Sequence, residues 1–199
     1  MALSELHAAK LLAMDTERLV LRAPQDSDLA AMFEIQADPS ANRFNPSAQL
    51  STREAALELL QCWQRHWQAQ GFGYWAIALR EQPEQVLGFG GLMAKRVDGH
   101  EGLSLYFRFR PQAWGQGYAS EMALAALTLA FEALHAPAVL AVVQPANMPS
   151  RKTLERIGMR LKASLADVPG QAPNLLYEMT AAAFASAPKV RPEPTPFGA

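Results

Sequence analysis

The sequence predicts a mixed α/β fold, an α+β arrangement of one central sheet flanked by helices, and three observations carry that expectation. Three strand-like runs come in succession, Tyr74–Leu79, residues 86–93 and residues 103–109, joined by segments holding Pro83, Asp98 and Gly99 that suit hairpin turns. A strand–helix–strand series follows over residues 139–143, 149–157 and 175–180. Between these halves a glycine-bearing segment, residues 110–121, leaves a strand and opens a long helix.

Each element has its own signal. Residues 18–23 (RLVLRA) alternate with the two-residue period of a short strand. Asp26 or Ser27 then caps a helix in which Leu29, Met32, Phe33 and Gln36 keep helical spacing. Ser51-Thr52-Arg53-Glu54 reads as a capping box, and Leu59, Leu60, Trp63 and Trp67 form the apolar stripe of the helix it opens. Gly71 is placed to end that helix. The helix opened at Gly115 carries Met122, Leu127, Ala130, Phe131 and Leu134, and Gly158 ends the one over 149–157. Residues 1–14 read as an appendage of modest helical character and 15–183 as one domain. Residues 184–199 read as an extended tail, because Pro188, Pro192, Pro194 and Pro196 cannot donate main-chain hydrogen bonds.

Composition narrows the function classes. With 199 residues, 50% hydrophobic and 19% charged, the chain has ordinary globular composition. A net charge of −1 leaves no overall basic field for nucleic acid or an anionic membrane. Cys62, the single cysteine, excludes an internal disulfide and any four-thiolate metal site, and no metal is expected. The longest apolar runs, 123–131 and 136–143, are shorter than the roughly 20 residues a bilayer helix needs. No basic, apolar and small-residue series of a secretory leader stands at the start, so a cytoplasmic protein is expected.

The chemistry-bearing segment is RPQAWGQGYASE, residues 110–121, with Gln112, Gly115, Gly117 and Ala119 in the pattern Q-x-x-G-x-G-x-A. Glycine permits positive φ and close approach of a ligand to the main chain. The N–H groups of such a turn and of the helix start behind it form an anion site whose natural guest is a pyrophosphate. Arg108, Arg110, Arg151, Lys152 and Arg156 are candidate cations for a further phosphate. Residues 101–162 hold seven basic against four acidic residues, a local excess that the whole chain lacks. A tight strand–helix turn with no ligand fits the same spacing. Two other nucleotide motifs do not: Tyr118 follows Gly117 where a P-loop needs lysine, and Ser120 stands at the third glycine of a dinucleotide fingerprint.

Taken in order, TERLVLRAPQDSDL (16–29), GFGYWAI (71–77), VLGFGGL (86–92), RPQAWGQGYASE (110–121) and AVVQPANMPSRKTLERIGM (141–159) resemble the GNAT superfamily of N-acetyltransferases, in its RimJ/RimL-like branch. The resemblance implies a sheet splayed into a V between the strands at 103–109 and 139–143, with acetyl-CoA in the gap. It implies that the main chain of Phe107, Arg108 and Phe109 bonds the pantetheine. Gln112, Trp114, Gly115, Gln116, Gly117, Tyr118 and Ala119 would then surround the pyrophosphate, with Lys152 nearby. Asn147 and Ser150 match the family's Asn-x-x-Ser pattern, the serine suited to meet the departing thiolate; both residues also suit plain turn and cap roles.

The resemblance further implies direct acetyl transfer from acetyl-CoA to a primary amine, a protein N-terminal α-amine or a small-molecule amine, in a protein of a class in which homodimers are common. The alternative is a non-catalytic acyl-CoA-binding module of the same fold. Many relatives read Glu-Ile-Gly-Tyr where this chain has Ser104-Leu105-Tyr106-Phe107, so a carboxylate base is missing from that strand. Tyr106 shares a face with Ser104 and Arg108 and is the candidate for a catalytic hydroxyl beside Ser150. Glu101 and Glu178 are alternative carboxylates, and His66, His100 and His135 have no partner motif. Trp63, Trp67, Phe72, Tyr74 and Trp75 read as core, some of them walling an acceptor pocket.

Overall fold

Leu19 and Leu21 are fully buried while Val20 and Arg22, which alternate with them, are half-buried, so the first predicted strand forms with the expected alternation. The computed structural model describes residues 13–97, 100–165 and 173–186. In chain order its elements are β1 (Ala13–Asp15), β2 (Leu19–Arg22), α1 (Leu29–Ala37), α2 (Pro39–Asn42), α3 (Arg53–Gln70), β3 (Tyr74–Leu79), β4 (Gln82–Val97) and β5 (His100–Phe109). Then come α4 (Tyr118–Thr128), β6 (Ala138–Val143), α5 (Met148–Arg156), β7 (Arg160–Leu165), β8 (Asn174–Thr180) and α6 (Ala181–Ser186). One eight-stranded sheet runs β1-β2-β3-β4-β5-β6-β8-β7, antiparallel except between β5 and β6.

Several expectations need correction. Ala13–Asp15 pairs with β2 as a strand instead of continuing a helical appendage; residues 1–12 lie outside the described residues. Residues 184–186 are helical, with Phe184 stacked 4.9 Å from Phe131, so the domain runs past 183; the proline-rich residues beyond lie outside the described ones. Neither Asp26 nor Ser27 caps α1: a 3₁₀ turn over Asp26–Asp28 precedes it, and the Asp28 carboxylate accepts from the Gln25 N–H at 2.8 Å. Thr52, not Ser51, caps α3, accepting from the Ala55 N–H. Pro83 lies inside β4, beside a bulged stretch where Ala78 faces Val86 but Leu79 faces Gln82, and its missing N–H is tolerated there. Residues 98 and 99, expected as a turn, lie outside the described residues. No alternation announced β7, because as an edge strand it leaves most of its side chains exposed.

The sheet carries a core on each face. On one, α1 and α3 pack Met32, Ile35, Leu60 and Trp63 against Tyr74, Phe89 and Met93. On the other, α4 and α5 pack Met122, Leu127 and Leu154 against Trp75, Leu92, Leu105 and Tyr177. The five aromatics from Trp63 to Trp75 are all buried, as core. Gly71 ends α3 at φ +74°. α4 starts at Tyr118, three residues after Gly115, and passes into a π-helical turn over Leu129–Ala133.

Candidate active site

Beside β5 the sheet opens. β4 pairs with β5 along its whole length, but β6 pairs with it only at Leu103–Val139 and Ser104–Leu140. Beyond the Leu105 N–H one edge of a central strand has no neighbour, the V-shaped splay that the family resemblance implies. Parity decides which groups face it. The Arg110 N–H donates to Leu87 O at 2.9 Å, so in an antiparallel ladder Arg108, Tyr106 and Ser104 also turn their main-chain groups to β4. Leu105, Phe107 and Phe109 turn theirs the other way: the Leu105 N–H closes the bridge to Leu140, the groups of Phe107 and Phe109 reach the gap, and the Phe109 carbonyl there accepts from Trp114 Nε1 at 2.9 Å.

The turn past β5 is an array of unused donors. Ala113 and Trp114 close a 3₁₀ turn on Arg110 O and Pro111 O, and the Glu121 N–H is the first to make a helical bond, to Gly117 O. Among the described residues, no main-chain N–H from Gly115, Gln116, Gly117, Tyr118, Ala119 or Ser120 donates to another protein group. Gly115 at φ +77° and Gly117 at φ +79° produce this concavity, which L side chains resist. A row of free N–H groups at a helix N-terminus fits a diphosphate, and the open β5 edge fits the amides of a pantetheine arm.

A buried acid and an arginine brace the turn from behind, and neither was singled out in the sequence. Glu121, 5% exposed, accepts from Thr16 Oγ1 at 2.6 Å, from the Arg18 N–H at 2.8 Å and from Arg18 Nε at 2.7 Å. Arg18 Nη1 donates to Gln116 O at 2.9 Å, and its guanidinium lies 4.7 Å over the Tyr118 ring. Gln112, Trp114 and Gln116 are exposed around the turn, and Tyr118 and Ala119 half-buried. Gln112, Gln116 and Tyr118 also line a cavity of about 310 Å³ toward Leu79 and Leu87.

Across the gap, Asn147 Oδ1 caps α5 by accepting from the Ser150 N–H at 3.2 Å. The cap role thus falls to Asn147 alone, and the Ser150 hydroxyl has no protein partner among the described residues. The candidate cations divide. Arg151 donates to Pro145 O and lies beside Tyr177, and Arg110 pairs with Glu34. Arg108 needs correction as a cofactor residue: its main chain faces β4, and its Nη1 donates to Gln36 Oε1 at 2.7 Å and Asn42 Oδ1 at 2.6 Å on the α1 face. Lys152 and Arg156 stay exposed on α5, with no ion pair among the described residues.

Tyr106 lies on that α1 face too, its hydroxyl accepting from Gln36 Nε2 at 3.0 Å. Burial pushes its phenol pKa up, against a smaller opposing pull from Arg108, so the hydroxyl stays protonated and is no base. Ser104 is 8% exposed and brings no carboxylate. Glu178 is paired with Lys162, and burial, followed by the charge of Lys95, pushes the His66 imidazole down. The Glu101 and His100 side chains lie outside the described ones. Among the described residues no group of three or more His, Cys, Asp or Glu is placed to hold a metal ion, and no helix is long and apolar enough to cross a membrane.

Comparison with known proteins meets this geometry. The model of the acetyltransferase (GNAT) domain family matches residues 18–160. The uncharacterized N-acetyltransferase YoaA of Bacillus subtilis is 26% identical over 154 residues, covering 76% of this chain and 85% of its own. Two solved structures share the fold. A Vibrio cholerae spermidine N-acetyltransferase in complex with CoA and spermine superposes with a TM-score of 0.70 at 15% identity, covering 85% of this chain and 99% of its own. RimL, a ribosomal L7/L12 α-N-protein acetyltransferase in complex with CoA, superposes at 0.69 and 15% identity, covering 84% and 97%. With the family match spanning most of its length around the splay and the glycine turn, the chain belongs to the GNAT acetyltransferase family and is an N-acetyltransferase.

Proposed function

We propose that this protein transfers an acetyl group directly from acetyl-CoA to a primary amine, an N-terminal α-amine or a small-molecule amine, in the manner of the RimJ/RimL-like branch. The observation that carries the reading is the run of unused main-chain donors from Gly115 to Ser120 beside the open edge of β5. Acetyl-CoA supplies an activated thioester. The amine nitrogen forms a bond to the acetyl carbon, the carbon–sulfur bond breaks, and the amine proton leaves to solvent while the thiolate is protonated.

The chain's own groups take distinct parts. The Phe107 N–H, aimed into the gap, is the donor for negative charge developing on the acetyl oxygen. Ser150, with its hydroxyl unengaged on the first turn of α5, meets the sulfur. No carboxylate stands at Ser104, and the chemistry tolerates that for weakly basic acceptors. An α-amine of pKa ~8 is about one-tenth neutral at pH 7, a cost of about 1.4 kcal/mol, against ~4.6 kcal/mol for a lysine-type amine near 10.4. We place the reaction in the cytoplasm, with no role for nucleic acid or membrane, in line with the net charge of −1.

The test is thermal unfolding with and without acetyl-CoA, paired with a CoA-release assay over an amine panel. At a hundredfold excess over Kd the ligand contributes about 2.7 kcal/mol, a rise of roughly 5–10 °C for a domain of this size. Ser150→Ala is expected to keep the rise and lower kcat by about a hundredfold. No rise at millimolar acetyl-CoA overturns the proposal.

A further inference from the structure

Arg108 carries a charge that no described carboxylate answers, its guanidinium lying 5.9 Å from the centre of the Tyr106 ring. Its Nη1 donates to the side-chain oxygens of Gln36 and Asn42, neutral amides only 3% and 1% exposed. Those amides are themselves held: Asn42 Nδ2 donates to Gln36 O and Asp38 O, and Gln36 Nε2 to the Tyr106 hydroxyl. Among the described residues no carboxylate pairs with Arg108. Asp38 spends its carboxylate on the Ala41 N–H, and Glu34 faces Arg110. Among the described residues Arg108 Nε and Nη2 make no hydrogen bond, and neither atom is fully buried. This is the side-on edge with which a guanidinium takes a carboxylate or phosphate through two parallel bonds.

Position gives that edge a purpose. Arg108 shares its face with Ser104 and Tyr106 and follows Phe107, whose N–H enters the splay. α1 and α3 cover this face over β3–β5, whereas Val142 on neighbouring β6 stays 42% exposed, so the face is open beside the gap. We infer that the acceptor is a primary amine bearing an anionic group, carboxylate or phosphate, close to its nitrogen, and that the Nε/Nη2 edge of Arg108 holds that group. The inference rests on the acetyl-transfer reading above. It disfavours polyamines, whose charges the guanidinium repels.

The experiment measures kcat/KM by CoA release for matched acceptors: β-alanine against β-alaninamide, O-phosphoethanolamine against ethanolamine, and peptides beginning Ser-Asp against Ser-Asn, with spermidine as the polycation. The amide has the less basic amine and so the intrinsic advantage, which makes preference for the acid diagnostic. The expected result is at least a tenfold preference for the anionic member of the small-molecule or the peptide pairs, identifying which source supplies the acceptor. Arg108→Gln abolishes that preference while the KM for acetyl-CoA holds, and Arg108→Lys retains part of it. Equal or better transfer to neutral amines or spermidine by the unaltered protein overturns the inference, as does a preference that survives in Arg108→Gln. Transfer without discrimination sinks this inference alone; absence of transfer to every amine sinks the acetyl-transfer reading with it.

Discussion

Gly117 at φ +79° sits where a β-carbon would meet only Arg18 Nη2, at 3.5 Å, so space is not what demands glycine there. The demand is conformational, because a left-handed L-residue costs about 1–2 kcal/mol. Gly117→Val is expected to relax by turning the Gln116–Gly117 peptide, lowering acetyl-CoA affinity at least tenfold in calorimetry while the fold survives; unchanged affinity refutes the role. At this scale the sequence was partly legible. The glycines, Gln112, Asn147 and Ser150 announce themselves by spacing, since they lie in short segments of local main-chain geometry. Arg108 does not: a strand arginine near a glycine turn reads as a phosphate ligand, and only its contacts with Gln36 and Asn42, 72 and 66 residues distant, turn it to the α1 face.

Between elements, the start of β2 governs the start of α4. Because C=O and N–H point oppositely across a trans peptide, the bond from Arg18 to Gln116 O directs the Gly117 N–H away from Arg18. Glu121 in turn fixes Arg18 through its Nε and its main-chain N–H. Arg18→Ala is expected to raise the KM for acetyl-CoA about tenfold and to leave that for acetyl-pantetheine, which lacks the diphosphate, unaltered. Equal losses with both donors would mean a general loosening instead. Pairs like this are opaque in a sequence, where residues 18 and 121 share no period. Strands β3, β4 and β5 are visible because each buries an alternating or continuous apolar run, whereas β1 and β7 are held by main-chain pairing at the sheet edges and carry little such signal.

Across the whole molecule, two sub-sheets, β1–β5 and β6–β8, meet through the two residue pairs at the apex of the splay, backed by the core under α4 and α5. Amides in the middle of a sheet ordinarily exchange slowly with solvent. Here the Phe107 N–H faces the gap, so it is expected to exchange fast in the free protein and to slow by at least tenfold with acetyl-CoA. The N–H groups of Tyr106 and Arg108, turned to β4, serve as protected internal controls in both states. Slow exchange at Phe107 without ligand would place its N–H elsewhere than in the gap.

By itself the sequence determined the class of fold, the glycine-bearing strand–turn–helix and the family, because all three depend on residues adjacent or regularly spaced along the chain. Tertiary structure alone decided which β5 amides enter the splay, which described cations are paired, what braces the glycine turn and which way Arg108 faces. Those depend on strand parity and on pairings between distant segments, and a one-residue change of register would turn each of these side chains and amides to the opposite side of the sheet or strand.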